Sequence, residues 1–120
     1  MKAFDLSIII VHFNTPDLLS ACISSVVEHT KDISLEIIIV DNASDKGKNT
    51  LAALEKKKNI KVIRNKTNLG FSAGNNSGIA IAKGKYVLLL NSDTLVTSNS
   101  LGHIVEWMRL HKDVGIATGA

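Results

Sequence analysis

The sequence predicts an α/β fold: a doubly wound, mostly parallel sheet with helices on both faces. Two observations predict it. Residues 8–11, 37–40 and 87–90 are apolar throughout, which suits strands buried on both faces. Between such runs lie segments with apolar residues at helical spacing, so strands and helices alternate along the chain. Right-handed crossovers then restrict the topology to a doubly wound sheet. Ligands of such sheets bind outside the carboxyl ends of the strands, where strand order reverses.

Each element has its own signal. Residues 6–13 are apolar and rich in β-branched side chains, a first buried strand. Thr15 is a good N-cap, and Pro16 suits the first helical position. Leu18, Leu19, Cys22, Ile23, Val26 and Val27 follow at helical spacing and predict a helix over 16–29. Residues 35–40 are a second buried strand. Leu51, Ala52 and Leu54 stand among polar residues and predict a surface helix over 45–58, capped by Ser44. Residues 60–64 are a short third strand. Ala73, Gly78 and Ala80 give a helix over 72–82 a face of small residues, and Gly84 stops it. A fourth strand covers 86–90. Ser98 or Asn99 starts a last helix with Leu101, Ile104, Val105 and Met108 on one face, and Trp107 and Met108 are assigned to the core. Residues 114–118 read as a fifth strand.

Composition excludes several classes. The 120 residues suffice for one domain, with 45% hydrophobic and 21% charged residues and a single Pro, which argues against disorder. No apolar run is long enough to span a bilayer. The N-terminal segment lacks the pattern of a signal peptide, and a reducing cytoplasm is the expected compartment. The single cysteine, Cys22, cannot form an internal disulfide, and four scattered histidines do not make a structural zinc site. Net charge is +3. Lys56, Lys57 and Lys58 read as a solvated helix end that complements the helix dipole. Aromatics are 4% of the chain and none interleaves with these lysines, so nucleic acid is not an expected partner.

The strand ends are polar: residues 12–15, 41–44, 65–70 and 91–94 share one rim if the sheet is built as argued. Asn, Asp, Ser and Thr there serve equally well as caps and turn residues. Asp41 and Asp93, however, each follow a buried apolar run, and a carboxylate there needs a hydrogen-bond donor or a cation. The first turn has no glycine, so it cannot be a dinucleotide-binding G-x-G-x-x-G, and the stretch 78–86 has the wrong spacing for a P-loop. The acidic pattern of a phosphorylated receiver domain is absent.

Four blocks in this order resemble the nucleotide-sugar-binding half of glycosyltransferase family 2, which has the GT-A fold. They are Ser7-Ile-Ile-Ile-Val-His-Phe-Asn14, Ile39-Val-Asp-Asn-Ala-Ser44, Asn68-Leu-Gly-Phe-Ser-Ala-Gly-Asn-Asn76 and Tyr86-Val-Leu-Leu-Leu-Asn-Ser-Asp-Thr94. The third and fourth look most like the rhamnosyltransferase-type branch. The resemblance implies that Val11, Phe13 and Asn14 cradle base and ribose. It implies that Asp41 accepts the imide N–H of uracil or thymine, and that Asn68, Gly70 and Phe71 line the same pocket. The family's Asp-x-Asp motif, which holds a divalent cation (Mg²⁺ or Mn²⁺) on the diphosphate, matches Asn91-Ser92-Asp93. Asp93 and Asn91 are then the metal ligands, and Ser92 belongs to the nucleotide set. Asn91 departs from the acidic pattern, so metal binding should depend on the nucleotide. Asn75 stands where many members carry an Arg, a diphosphate contact with one charge fewer. Gly74 and Gly78 serve equally well as close-packing residues against the sheet.

The resemblance implies inverting transfer of a sugar from a UDP- or dTDP-sugar to a hydroxyl of a glycan or lipid-linked saccharide. Such acceptors would bring a full-length enzyme to the inner face of the membrane. The general base of the family is an Asp or Glu beyond the metal motif. Glu106 reads instead as a solvated helical carboxylate, so the base is expected beyond residue 120. Residues 1–120 are thus expected to be a single donor-binding domain without the acceptor part, inactive alone, with an exposed sheet edge that favours self-association. A non-catalytic nucleotide-binding or structural module is the alternative.

Overall fold

The computed structural model describes residues 3–118. Strands and helices alternate as β1 (Phe4–His12), α1 (Pro16–His29), β2 (Leu35–Asn42), α2 (Lys48–Glu55), β3 (Ile60–Asn65), α3 (Phe71–Ile81), β4 (Gly84–Leu89) and α4 (Ser100–Leu110). The sheet order is β3-β2-β1-β4, and every pairing is parallel. The sheet therefore grows from β1 in both directions, and the strand order reverses between β1 and β4.

The two faces differ. Side chains alternate along each strand. Ile8 and Ile10 of β1 and Ile37 and Ile39 of β2 meet Leu19, Ile23 and Val26 of α1, Leu51 and Leu54 of α2, and Leu101 and Val105 of α4. Ile9, Ile38 and Val40 point to the opposite face, which α3 covers. The isoleucines of β1 and β2 are essentially fully buried. Each contributes on the order of 1.5–3 kcal/mol through apolar burial, before the entropy cost of ordering it.

Small residues let α3 approach closely. A Cβ added at Gly78 would lie 2.5 Å from Ile9 Cγ2, and one at Gly74 would lie 3.1 Å from Val11 Cγ2. Gly84 does not end α3. Ala82 caps that helix in an extended conformation, and Gly84 opens β4, where an added Cβ would lie 2.5 Å from the Ser7 amide nitrogen.

Several boundaries move for physical reasons. α2 begins at Lys48, behind Gly47 in a left-handed conformation (φ 93°), because residues 43–46 are drawn into the rim instead. Ser44 is accordingly not a helix cap. Thr15 and Asn99 stand at N-cap positions without a side-chain cap bond, and Ser98 lies outside α4. Residues 114–118 form no strand: among the described residues nothing pairs with them, and Ile116 is 93% exposed. Trp107 is 43% exposed and stacks on His111 at 4.0 Å, so it lies outside the core, and Met108 is only half-buried. Glu106 is exposed and reaches Arg109 at 3.5 Å, and Lys56, Lys57 and Lys58 are solvated. No helix among the described residues is long and apolar enough to cross a membrane.

Candidate active site

The carboxyl ends of all four strands open into one cleft of about 470 Å³. Val11, Phe13, Thr15 and Leu18 line it from β1 and the start of α1, and Asn42 from the end of β2. Asn68, Gly70 and Phe71 come from the loop before α3, and Asn91, Ser92 and Asp93 from the loop after β4. Eight of the eleven expected site residues therefore meet here. The cleft lies where strand order reverses, as topology requires.

The wall that carries Asp93 is anchored on α1. Thr94 N–H donates to the Asn91 carbonyl at 3.1 Å, and the Cys22 thiol lies 3.7 Å from the same oxygen. Val96 N–H donates to Ser25 Oγ at 2.9 Å, and the Val96 side chain is buried. Burial pushes the Cys22 thiol up in pKa, and the charge of Asp93 adds to that, which leaves Cys22 a neutral packing residue. Asp93 itself is exposed at the cleft.

The opposite wall hangs on Asn42, which is 2% exposed. Its Nδ2 donates to the Gly70 carbonyl at 3.0 Å, and its Oδ1 accepts from Asn65 Nδ2 at 2.9 Å. A carbonyl can only accept, so this pair of bonds fixes the amide orientation. Gly70, with φ 84°, also donates its N–H to Asn68 Oδ1 at 2.9 Å. The β3–α3 loop is thereby tied to the end of β2. Sequence reasoning had not chosen Asn42, Thr15 or Leu18. Side-chain alternation was the available signal: Asn42 shares its face with Ile38 and Val40, the face that α3 covers.

Three expected residues lie elsewhere. Asn75 is buried on α3, outside the cleft lining. Asn14 spends its side-chain oxygen on the Asp45 and Lys46 amides, at 2.8 and 3.1 Å. Asp41, 5% exposed, turns to the α1 side of the sheet, where Oδ1 accepts from His12 Nδ1 at 2.8 Å and from Ser44 Oγ at 2.6 Å. Its other oxygen accepts Ser44 N–H at 3.2 Å. This arrangement does not present Asp41 to a base in the cleft. The reason is register: Asp41 pairs with His12 across β1 and β2, and both side chains leave the sheet on the same face.

The lining suits a polar, partly planar ligand, and among the described residues it carries no cationic side chain. Phe13 and Phe71 are about half exposed and offer aromatic surface. Asn68, Ser92 and Asn91 offer donors and acceptors. Asp93 is the only carboxylate among the lining residues. Among the described residues no group of three or more His, Cys, Asp or Glu could hold a metal unaided. The donor set of Asp93 and Asn91 is all oxygen, which fits a hard divalent cation that takes its remaining ligands from phosphate and water.

Comparison with known proteins gives the family and the fold. The model of glycosyl transferase family 2 matches residues 7–119. A poly(ribitol-phosphate) beta-glucosyltransferase of Bacillus spizizenii is 37% identical over 112 residues, 90% of this chain and 17% of that protein. A cholesterol galactosyltransferase of Borreliella burgdorferi is 37% identical over 103 residues, 82% of this chain and 27% of that protein. The chain thus spans well under half the length of these relatives. Crystal structures of S. aureus TarS share the fold. Its residues 1–349 superpose with a TM-score of 0.78 at 21% identity, covering 100% of this chain and 39% of that 1–349 chain. A complex of the same protein with UDP gives 0.77 at 23% identity, covering 93% and 33%. The fold is the GT-A fold, and the chain belongs to glycosyltransferase family 2.

Proposed function

We propose that this chain is the donor-binding part of an inverting glycosyltransferase that takes a UDP- or dTDP-sugar and transfers the sugar to a hydroxyl of a glycan or lipid-linked saccharide. The observation that carries the reading is the convergence of Phe13, Asn68, Gly70, Phe71, Ser92 and Asp93 on one cleft at the switch point of the sheet. Relatives that act on poly(ribitol-phosphate) and on cholesterol, and a structural neighbour that binds UDP, support it.

In this reading Val11, Phe13 and Phe71 flank the base and ribose, with Asn42 and Asn68 at their polar edges. Asn91, Ser92 and Asp93 face the diphosphate. A divalent cation bound there supplies positive charge to the leaving diphosphate. Asp93 and Asn91 would hold it, each through an oxygen. The acceptor hydroxyl must lose its proton to a base within hydrogen-bond reach. Among the described residues Asp93 is the only carboxylate lining the cleft, so we assign that base to a part of the protein other than these residues. An acceptor of this class would bring the whole enzyme to the cytoplasmic face of a membrane, and we include that location in the proposal.

Calorimetric titration with UDP and dTDP, each with and without Mn²⁺, tests the reading. The expected result is binding that requires Mn²⁺ and is lost in Asp93→Ala. A folded sample that binds neither nucleotide in the presence of Mn²⁺ overturns it.

A further inference from the structure

The sequence pointed to Asp41 as a residue that reads the base, yet its carboxylate is bonded on the far side of the sheet. We propose that His12, Asp41, Ser44 and Asn14 form a clamp, buried at His12 and Asp41, whose work is to position Phe13 in the cleft, so that Asp41 is a positioning residue and not a contact to the base. The proposal rests on the donor-site reading above.

The hydrogen bonds fix the chemistry of the clamp. Thr15 N–H donates to His12 Nε2 at 3.1 Å, so that nitrogen carries the lone pair. Nδ1 therefore carries the hydrogen and donates to Asp41 Oδ1. His12 is fully buried, and only the Nδ1–H tautomer satisfies both neighbours. Ser44 Oγ donates to Asp41 and accepts Asn14 N–H at 2.9 Å. Asn14 closes the set by accepting from Asp45 and Lys46. Two consecutive amides of the β1–α1 turn, those of Asn14 and Thr15, are thus held by side chains of the clamp.

Phe13 lies between these anchored residues. Asn14 adopts a left-handed conformation (φ 55°), which Asn tolerates better than most residues but which still needs support. The clamp supplies that support and so sets the direction of the Phe13 ring. Asp41 already accepts three hydrogen bonds, and its side chain is only 7% exposed. A base donor has almost no surface of Asp41 to reach.

The test compares UDP and CDP affinity in Mn²⁺, because only uracil offers an imide N–H. Loss of the clamp in His12→Leu should weaken UDP and CDP equally, by about tenfold, at a temperature where circular dichroism shows the variant folded. His12→Asn places an amide donor near the position of Nδ1 and should restore affinity to within about threefold of the wild type. Phe13→Ala should cost little more in the His12→Leu background, since both act through the same ring. Full UDP affinity in folded His12→Leu overturns the proposal, as does an Asp41→Asn variant that loses UDP while keeping CDP. Should His12→Leu fail to fold, ¹⁵N spectra of the wild-type imidazole decide. An Nδ1–H tautomer whose signal moves on UDP addition supports the clamp, and an Nε2–H tautomer overturns it. A wild type that binds neither nucleotide instead removes the donor-site reading, and this inference with it.

Discussion

Ser7 Oγ donates a 2.7 Å hydrogen bond to Glu36, and both side chains are completely buried between β1 and β2. Lys83 N–H donates to the same oxygen at 2.6 Å, Lys61 Nζ reaches the other at 3.3 Å, and Gly84 N–H donates to Ser7 Oγ at 2.7 Å. One carboxylate thus ties β1, β2, β3 and the start of β4 together, at the end of the sheet away from the cleft.

Burial pushes the Glu36 carboxyl up in pKa. The bonds from Ser7, Lys83 and Lys61 outweigh it and hold the group below its ordinary value of 4.5. A depressed folded pKa means that stability is fully present above the unfolded value and is lost as pH falls through the folded one. Urea midpoints should therefore fall as pH drops below 4.5, and Glu36→Gln should flatten that dependence. Glu36→Ala leaves buried donors without a partner and should cost about 2–4 kcal/mol at neutral pH. An unchanged pH profile in Glu36→Gln would show that other carboxylates govern acid unfolding.

The contact of Gly78 with Ile9 predicts an overpacking effect. Ile9 is fully buried, so an added methyl at 2.5 Å forces a shift of α3 against the sheet. Gly78→Ala should lower stability by about 1–3 kcal/mol despite the better helix propensity of Ala. Gly74→Ala meets its neighbours at 3.1 Å and should cost less. Denaturant midpoints of the two variants give the ranking directly.

Asn91 offers one neutral oxygen where a second carboxylate would bind a cation more strongly. Asn91→Asp should tighten Mn²⁺ in the presence of UDP by about tenfold. It should also permit detectable Mn²⁺ binding without nucleotide. Electron paramagnetic resonance of free Mn²⁺ measures both. No change in either would place the metal away from residue 91.

The chain from Asn65 through Asn42 to Gly70 predicts an effect at a distance. Asn65 is not among the residues that line the cleft, yet Asn65→Ala removes the donor that orients Asn42. Nucleotide affinity should fall about three- to tenfold, with a stability loss near 1 kcal/mol. Isothermal titration beside thermal melting separates the two. Wild-type affinity in a destabilised Asn65→Ala would show that the loop keeps its place without this bond.

Most of the fold was legible because its signals are local. The limits of α1 follow from Pro16 and from apolar residues at helical spacing, and the buried strands announce themselves as runs of isoleucine and valine. The cleft was legible through strand ends, which place Asn68, Gly70 and Asp93 on one rim. What stayed hidden depends on which way a side chain leaves the sheet. Asp41 and Asn42 are neighbours in sequence, but the pleat sends one to His12 and the other to the cleft. Glu36 stayed hidden because its donors come from three distant segments. Residues 114–118 have the composition of a strand, but a strand also needs a paired neighbour, which composition does not report.

The sheet order has a consequence for assembly. β1 is made first yet lies in the interior of the sheet, and its pairing with β4 joins Phe4 to Gly84. That closure is the longest-range strand pairing in the sheet, and contacts of such separation slow folding. Asp93 follows β4, so the wall that carries it depends on that closure. A ligand that bridges Asp93 and Phe13 would therefore bind only the finished sheet. By mass action it would stabilise the closed sheet against any state in which β4 is unpaired.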